Sequence, residues 1–129
     1  MAMTTLLPVL AAVAFVVMAV IVAVDTDPTR PNVWPLPAAL SAAFFAFSLC
    51  AVIREGPVGF WVEHTRNLWG NQIWLDLLLA VGLGWTVLVP EARRLGVRPL
   101  PWLVLIMCTG SIGFSAMLAR VLYLKGRRA

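Results

Sequence analysis

Charge is scarce in this sequence of 129 residues. Only 12% of the residues are charged and 61% are hydrophobic, whereas a soluble domain carries about 25% charged and about 45–50% apolar residues. The mean hydropathy of +0.90 agrees with this balance. The shortage of charge excludes an ordinary soluble protein, and the apolar runs leave no room for a soluble catalytic domain.

Histidine and cysteine are also rare, which limits metal and redox chemistry. The single histidine, His64, excludes a bis-His haem site and a conventional zinc site. We therefore expect no metal centre and no cofactor. His64 is either an axial ligand of one pigment or haem or, as we expect, a solvated side chain. Cys50 and Cys108 lie at different depths, more than ~10 Å apart across a ~30 Å core, so we expect two free thiols.

Long apolar runs are what the sequence has in abundance. One membrane span needs about 20 mostly apolar residues, and four such runs are present. The predicted spans are residues 6–24, 36–53, 72–89 and 102–124. The first run is either a signal peptide or a retained helix. We favour the retained helix, because no basic residue precedes the run and no A-x-A pattern follows it.

The segments between the runs complete the predicted architecture. Residues 25–37 contain four prolines, which a helix interior does not tolerate, so they form a stiff loop. Residues 58–69 place apolar and polar side chains on opposite faces, which predicts an amphipathic helix at the membrane interface. A solvent-facing loop is the alternative there. We thus predict an all-α membrane protein, a single domain over residues 1–129 built as a four-transmembrane-helix bundle.

Two charged residues, Asp76 and Arg120, fall inside predicted spans. An intramembrane charge costs at least roughly 2.5–3.5 kcal/mol. In antiparallel third and fourth spans each charge lies at a depth of about 6 Å from the same membrane side. Stripes of small residues extend from both charges, and such residues let membrane helices approach closely. The stripes are Asp76, Ala80 and Gly84 on one span and Gly113, Ala116 and Arg120 on the other.

We therefore predict that Asp76 pairs with Arg120. A structural ion pair, a separate snorkelling of Arg120 to the headgroups and a proton or anion relay remain open. Asp76 and Arg120 are also the candidate catalytic residues.

Polar and aromatic residues crowd the start of the third span. The candidate binding residues are His64, Asn67, Trp69, Asn71 and Trp74. They line a ligand pocket or belong to the belt of aromatic residues that marks a membrane interface.

Basic residues set the expected orientation. In a four-span chain the loop between spans two and three shares a side with both termini. That side carries five basic residues and the other carries four. The positive-inside rule then places both termini in the cytoplasm. We assign the net charge of +4 to helix ends and lipid headgroups rather than to nucleic acid, which makes the lipid bilayer the first partner.

The second half of the chain resembles a known family. The resemblance rests on Gly59-Phe60, Asn67, Asp76-Leu77-Leu78, a basic turn and a last span ending in Arg120. This pattern resembles small bacterial membrane proteins catalogued as domain of unknown function, number 2834. It covers about half of the chain, and the ending Tyr123-Leu-Lys-Gly-Arg-Arg matches only loosely. The resemblance implies a compact protein of three or four helices with a membrane-embedded Asp-Leu-Leu, in the bacterial inner membrane, and no established activity.

Two functions follow from these residues. The first is a non-catalytic accessory or assembly subunit of a larger membrane complex, with a partner chain, identical or different, against spans one and two. The second is a small membrane enzyme or carrier for a lipid or isoprenoid-like molecule, with Asp76 as its key polar residue. We favour the subunit, because catalysis needs several reactive groups in mutual reach and no phosphate loop, H-E-x-x-H or G-x-S-x-G is present.

Overall fold

The computed structural model describes residues 3–25 and 33–128, and this part of the chain is helical. The helices are α1 Met3–Val24, α2 Pro35–Glu55, α3 Gly59–Thr65, α4 Leu68–Arg94, α5 Pro99–Thr109 and α6 Ser111–Arg128. The chain divides into two compact units, Met1–Arg30 and Pro31–Ala129. The single domain over residues 1–129 stays a prediction. Residues 26–32 of the predicted stiff loop lie outside the described residues. The loop prediction is wrong for residues 35–37, which form the first turn of α2, where a helix tolerates proline.

Three of the described helices, α1, α2 and α4, are long and apolar enough to cross a membrane. They contain the first three predicted spans. No residue of α1 is buried within the chain, and α2 and α4 also leave most of their apolar surface exposed. So much exposed apolar surface is typical of a membrane protein rather than of a soluble monomer. The third predicted span ends at residue 89, whereas α4 continues through Pro90 to Arg94.

The fourth predicted span, residues 102–124, is not one helix. It is interrupted at Gly110, whose φ of +62° is a backbone conformation that favours glycine. Beyond the turn, a Cβ built on Gly113 would lie 3.0 Å from the backbone nitrogen of Ile106. Residues seven apart in a straight helix are separated by about 10 Å along the axis. The two helices α5 and α6 therefore fold back on each other as a hairpin.

Helix α6 runs alongside α4 in the same direction. Near its start, the Phe114 ring lies against Gly84, where a Cβ would be 2.6 Å from the ring. Near its end, Lys125 Nζ lies 3.4 Å from Glu91 Oε1. From the first contact to the second, the residue numbers rise along both helices, so the helices are parallel. The prediction of antiparallel neighbours is wrong here, because the turn at Gly110 reverses the chain once more than a straight span would.

Helix α2 packs against α6 in the opposite direction. The Ser41 hydroxyl donates a hydrogen bond of 2.8 Å to the carbonyl of Ile112, near the start of α6. The rings of Trp34 and Tyr123 meet edge to face at 5.4 Å, beside the end of α6. Helix α6 is thus the centre of the second unit and packs against α2, α4 and α5. The buried apolar residues that pack together as its core are Leu88, Ala92, Ile106, Met117 and Val121.

The hairpin reaches only about halfway along its long neighbours. Helix α5 has 11 residues and α4 has 27, so their lengths are about 16 Å and about 40 Å. Phe114 is level with Gly84, so the turn at Gly110, four residues earlier, lies near the middle of α4. Helix α6 starts after this turn and therefore runs alongside the second half of α4.

The short helix α3 connects α2 to α4. It has seven residues, whereas the predicted amphipathic helix covered residues 58–69. The end of that predicted helix, Leu68 and Trp69, belongs to α4 instead. Helix α4 begins after Asn67, whose side-chain oxygen accepts a hydrogen bond of 2.8 Å from the backbone N–H of Gly70 and so caps the helix. The interfacial position of α3 stays a prediction.

Candidate functional site

A cluster of rings and amides joins α3 to the start of α4. We call it the entrance cluster: Phe60, Trp61, His64, Asn71 and Trp74. Gly70 lets the two helices meet, because a Cβ at that position would collide with the backbone carbonyl of Glu63. The Asn71 side-chain amide then donates a hydrogen bond of 2.7 Å to the carbonyl of His64, which fixes α3 on α4.

Trp74 is the centre of the entrance cluster. Its ring centroid lies 5.0 Å from that of His64, 6.1 Å from Phe60 and 6.2 Å from Trp61. The Trp61 ring stands perpendicular to Trp74, at 90°, the edge-to-face arrangement that aromatic pairs prefer. An open pocket of about 170 Å³ lies beside these rings. It is lined by Trp61, His64, Thr65, Asn71, Trp74 and Leu75.

The structure brings together three of the five predicted binding residues: His64, Asn71 and Trp74. Asn67 is engaged as the cap of α4. Trp69 is 75% exposed and stands outside the cluster. Phe60 and Trp61 belong to the cluster although they were not among the predicted binding residues. The four-residue spacing between Phe60 and His64, which puts both on one helix face, was a signal for Phe60.

Asp76 lies on α4 outside this pocket, and its side chain is exposed. Among residues 3–25 and 33–128, Asp76 makes no ion pair and no hydrogen bond. The guanidinium of Arg120 lies over the Tyr123 ring, 5.9 Å from its centroid. The predicted pairing of Asp76 with Arg120 is therefore wrong.

The parallel course of α4 and α6 explains why the two charges do not meet. Asp76 precedes Gly84 by eight residues, about 12 Å along the axis, and Arg120 follows Phe114 by six residues, about 9 Å. Since Gly84 and Phe114 are level, the charges are about 20 Å apart along the bundle. Eight residues also rotate the helix face by about 80°, which turns Asp76 away from α6.

The predicted stripes of small residues do not form a seam between α4 and α6. Gly84 contacts Phe114, but Gly113 packs against the backbone of α5. Ala116 faces α2, where it lines an open groove of about 320 Å³ with Ala38 and Ser41. Small residues do permit close approach here, yet to three different neighbours.

The described residues do not assemble a catalytic constellation. The entrance cluster has no carboxylate on its pocket, and the hydroxyl of Ser41 is already bonded to the Ile112 carbonyl. Within the described ranges no three His, Cys, Asp or Glu side chains lie close enough to hold a metal ion. Cys50 and Cys108 are free thiols, as their depths predict. Among the described residues, the exposed carboxylate of Asp76 on the apolar helix α4 is chemically unusual.

The fold and these sites define an all-helical protein with three described helices suited to crossing a membrane. Among known proteins, no family model matches the chain, and no curated protein and no solved structure matches it significantly.

Proposed function

We propose that this chain is a small protein of the bacterial inner membrane that serves as a non-catalytic accessory or assembly subunit of a larger membrane complex. The observation that carries the proposal is the exposed carboxylate of Asp76 on the apolar helix α4, with no partner among the described residues. Asp76 lies about 12 Å from the start of α4, and we expect this position to be within the hydrocarbon rather than at a surface.

An isolated carboxylate at this depth needs a partner. Its insertion costs roughly 2.5–3.5 kcal/mol or more, and such residues pair with other polar groups or line a water-filled cavity. A helix of another chain, identical or different, that presents a cation or a hydrogen-bond donor at the same depth offsets this cost. Helices α1 and α2 each expose apolar surface that offers further contacts, and α4 joins these two spans as a helix on which we expect a partner.

The hairpin also changes the proposed orientation. If α2 and α4 each cross the membrane once, the hairpin of α5 and α6 enters and leaves on the side where α4 ends. That end carries Arg93, Arg94, Arg98, Lys125, Arg127 and Arg128, whereas the connection between α2 and α4 carries Arg54 and Arg66. By the positive-inside rule the C-terminal end faces the cytoplasm. The expectation that the N-terminus is also cytoplasmic concerns the first unit and stays a prediction.

The alternative function is an enzyme or carrier for a lipid or isoprenoid-like molecule, with Asp76 at its centre. The pocket of the entrance cluster is the observation in its favour. Asp76 does not line that pocket, and Arg120 is far from both. Because a reactive carboxylate would have to reach the bound molecule, we favour the subunit.

Site-specific photocrosslinking in native membranes tests the proposal. Leu83 is 60% exposed and lies about 20° from Asp76 around α4, because it follows by seven residues. A photoreactive residue at Leu83 should capture one reproducible protein partner, and Asp76→Asn should reduce this product several-fold. Leu78, 50% exposed on the opposite face, provides the matched control and should yield no Asp76-dependent product.

Two results would decide against the subunit. Capture of lipid alone from both positions, with no effect of Asp76→Asn, would contradict it. Turnover of a lipid-like substrate that is lost in a folded Asp76→Asn protein would support the enzyme, with Asp76 as its key polar residue, over the subunit.

A further inference from the structure

The two ends of the second unit differ sharply in charge. The end where α4 stops and α6 returns carries six basic residues and one acidic residue, Glu91, and therefore a net charge of +5. The end formed by the last turn of α2 and by α3 carries Arg54, Glu55, Glu63 and Arg66, which sum to zero. We call the first of these the basic end: Glu91, Arg93, Arg94, Arg98, Lys125, Arg127 and Arg128.

The hairpin brings the residues of the basic end together. Arg128 donates hydrogen bonds of 3.0 Å and 3.2 Å to the carbonyls of Arg94 and Leu95, the last residues of α4 and the turn after it. Lys125 lies 3.4 Å from Glu91. These contacts attach the end of α6 to the end of α4. A straight fourth span would instead have carried Lys125, Arg127 and Arg128 to the other side of the membrane.

Only part of this charge is used within the chain. Glu91 contacts Lys125 and, at 3.7 Å, Arg94. Cations near the ends of α4 and α6 also stabilise the negative helix C-termini, but this effect falls off within one turn. Arg93 and Arg98 are exposed and make no ion pair with any residue in the described part of the chain. At least two guanidinium groups therefore remain available to an outside anion.

The start of α5 does not supply an anion site of its own. Its first turn contains Pro99 and Pro101, which have no backbone N–H to donate. Recognition of an anion at this end must come from the arginine and lysine side chains. Guanidinium groups bind phosphate oxygens through paired, charge-assisted hydrogen bonds.

We infer that the basic end is a docking surface for the headgroups of anionic phospholipids. Its position at the ends of membrane-suited helices brings it level with a headgroup layer, and its net charge of +5 is complementary to phosphate. The neutral opposite end, with its ring cluster of Phe60, Trp61 and Trp74, fits a zwitterionic or uncharged interface. The inference depends on the chain crossing a membrane and not on a partner chain.

The test measures which lipids the full chain retains. Wild-type protein is placed in nanodiscs of phosphatidylcholine and phosphatidylglycerol, mixed equally and with the same acyl chains, and retained lipids are counted by native mass spectrometry. The wild type should retain phosphatidylglycerol preferentially at 50 mM salt and less so at 300 mM, because salt screens exposed charges. The variant Arg93→Gln/Arg98→Gln should lower the preference at least ~5-fold, since each basic residue contributes about 1 kcal/mol at an anionic surface.

Two further variants and one further probe make the outcome decisive. The matched control, Arg54→Gln/Arg66→Gln, removes the same charge from the neutral end and should leave the preference unchanged. The variant Arg93→Lys/Arg98→Lys keeps the charge and should restore most of it, which excludes simple misfolding. A preference lost equally in both glutamine variants, or absent in the wild type, would overturn the inference. Arginine-dependent binding of a DNA duplex to protein in neutral nanodiscs, without a lipid preference, would reassign the surface to nucleic acid.

Discussion

At the scale of single residues, glycines decide how closely the helices of the second unit approach. Gly113 lies against the backbone of α5, and its missing side chain leaves room for Thr109. The Thr109 hydroxyl accepts a hydrogen bond of 3.0 Å from the backbone N–H of Gly113 and donates one of 2.7 Å to the carbonyl of Leu105. Thr109 thereby satisfies a free donor in the first turn of α6.

Substitution of Gly113 tests this packing. A methyl group in Gly113→Ala would lie 3.0 Å from the backbone of α5 and 2.8 Å from Thr109 Oγ1. We expect a loss of about 1–3 kcal/mol of stability, typical of overpacking. Gly82→Ala is the control, because nothing lies within 4 Å of a Cβ there. Gly82→Ala should be neutral or slightly stabilising, since alanine favours a helix. Thermal melting in a mild detergent measures both, and equal melting temperatures would contradict the account.

The rotation of an α-helix explains why the predicted pair of Asp76 and Arg120 does not form. Four-residue spacing suggested a straight face, but an α-helix advances 100° per residue, so each step of four rotates the face by about 40°. Over the two steps from Asp76 to Gly84 this rotation separates the carboxylate from the face that packs on Phe114. Periodicity predicts neighbours over one turn and loses accuracy over two.

At the scale of helices, apolar composition predicted α1, α2 and α4 well, because a span is defined by length and hydropathy. Composition did not reveal the hairpin, since residues 102–124 form one long apolar run in which Arg120 is the single charged residue. The signal was Thr109-Gly110-Ser111 in the middle of the run. A lone glycine inside an apolar helix is often tolerated. Only the contacts of Gly113 and Ile106 show that the chain turns back.

Distance measurement between spin labels tests the hairpin. Leu100 and Lys125 are both exposed, one near the start of α5 and the other near the end of α6. In a continuous helix these residues would be about 37 Å apart. In the hairpin the two sites lie side by side, and we expect a label separation below ~20 Å, given helix axes about 8–10 Å apart. Pulsed electron paramagnetic resonance on the doubly labelled protein, with Cys50 and Cys108 replaced by serine, distinguishes the two.

At the scale of the whole molecule, one turn at Gly110 determines where charge is located. A straight fourth span would divide the basic residues almost equally between the two sides, five against four, and would leave the orientation nearly undetermined. The hairpin instead places the basic tail of α6 beside the basic end of α4. The separation of Asp76 from Arg120 follows from this arrangement, and the proposed orientation and the proposed headgroup surface depend on it. All of these charged residues can be read from the sequence. The side of the membrane on which each one is expected depends on the turn at Gly110, which hydropathy does not report.

We therefore expect the last two helices to enter and leave the membrane on one side. The most direct test of this expectation compares the sides of two engineered cysteines, Val58→Cys between α2 and α3 and Arg127→Cys near the end of α6, in a chain with Cys50 and Cys108 replaced by serine. A membrane-impermeant thiol reagent is applied to intact cells and then to opened membranes. The hairpin predicts that residue 58 is labelled in intact cells and residue 127 only after opening. Labelling of both residues from the same side would show that residues 102–124 cross the membrane and would contradict the account.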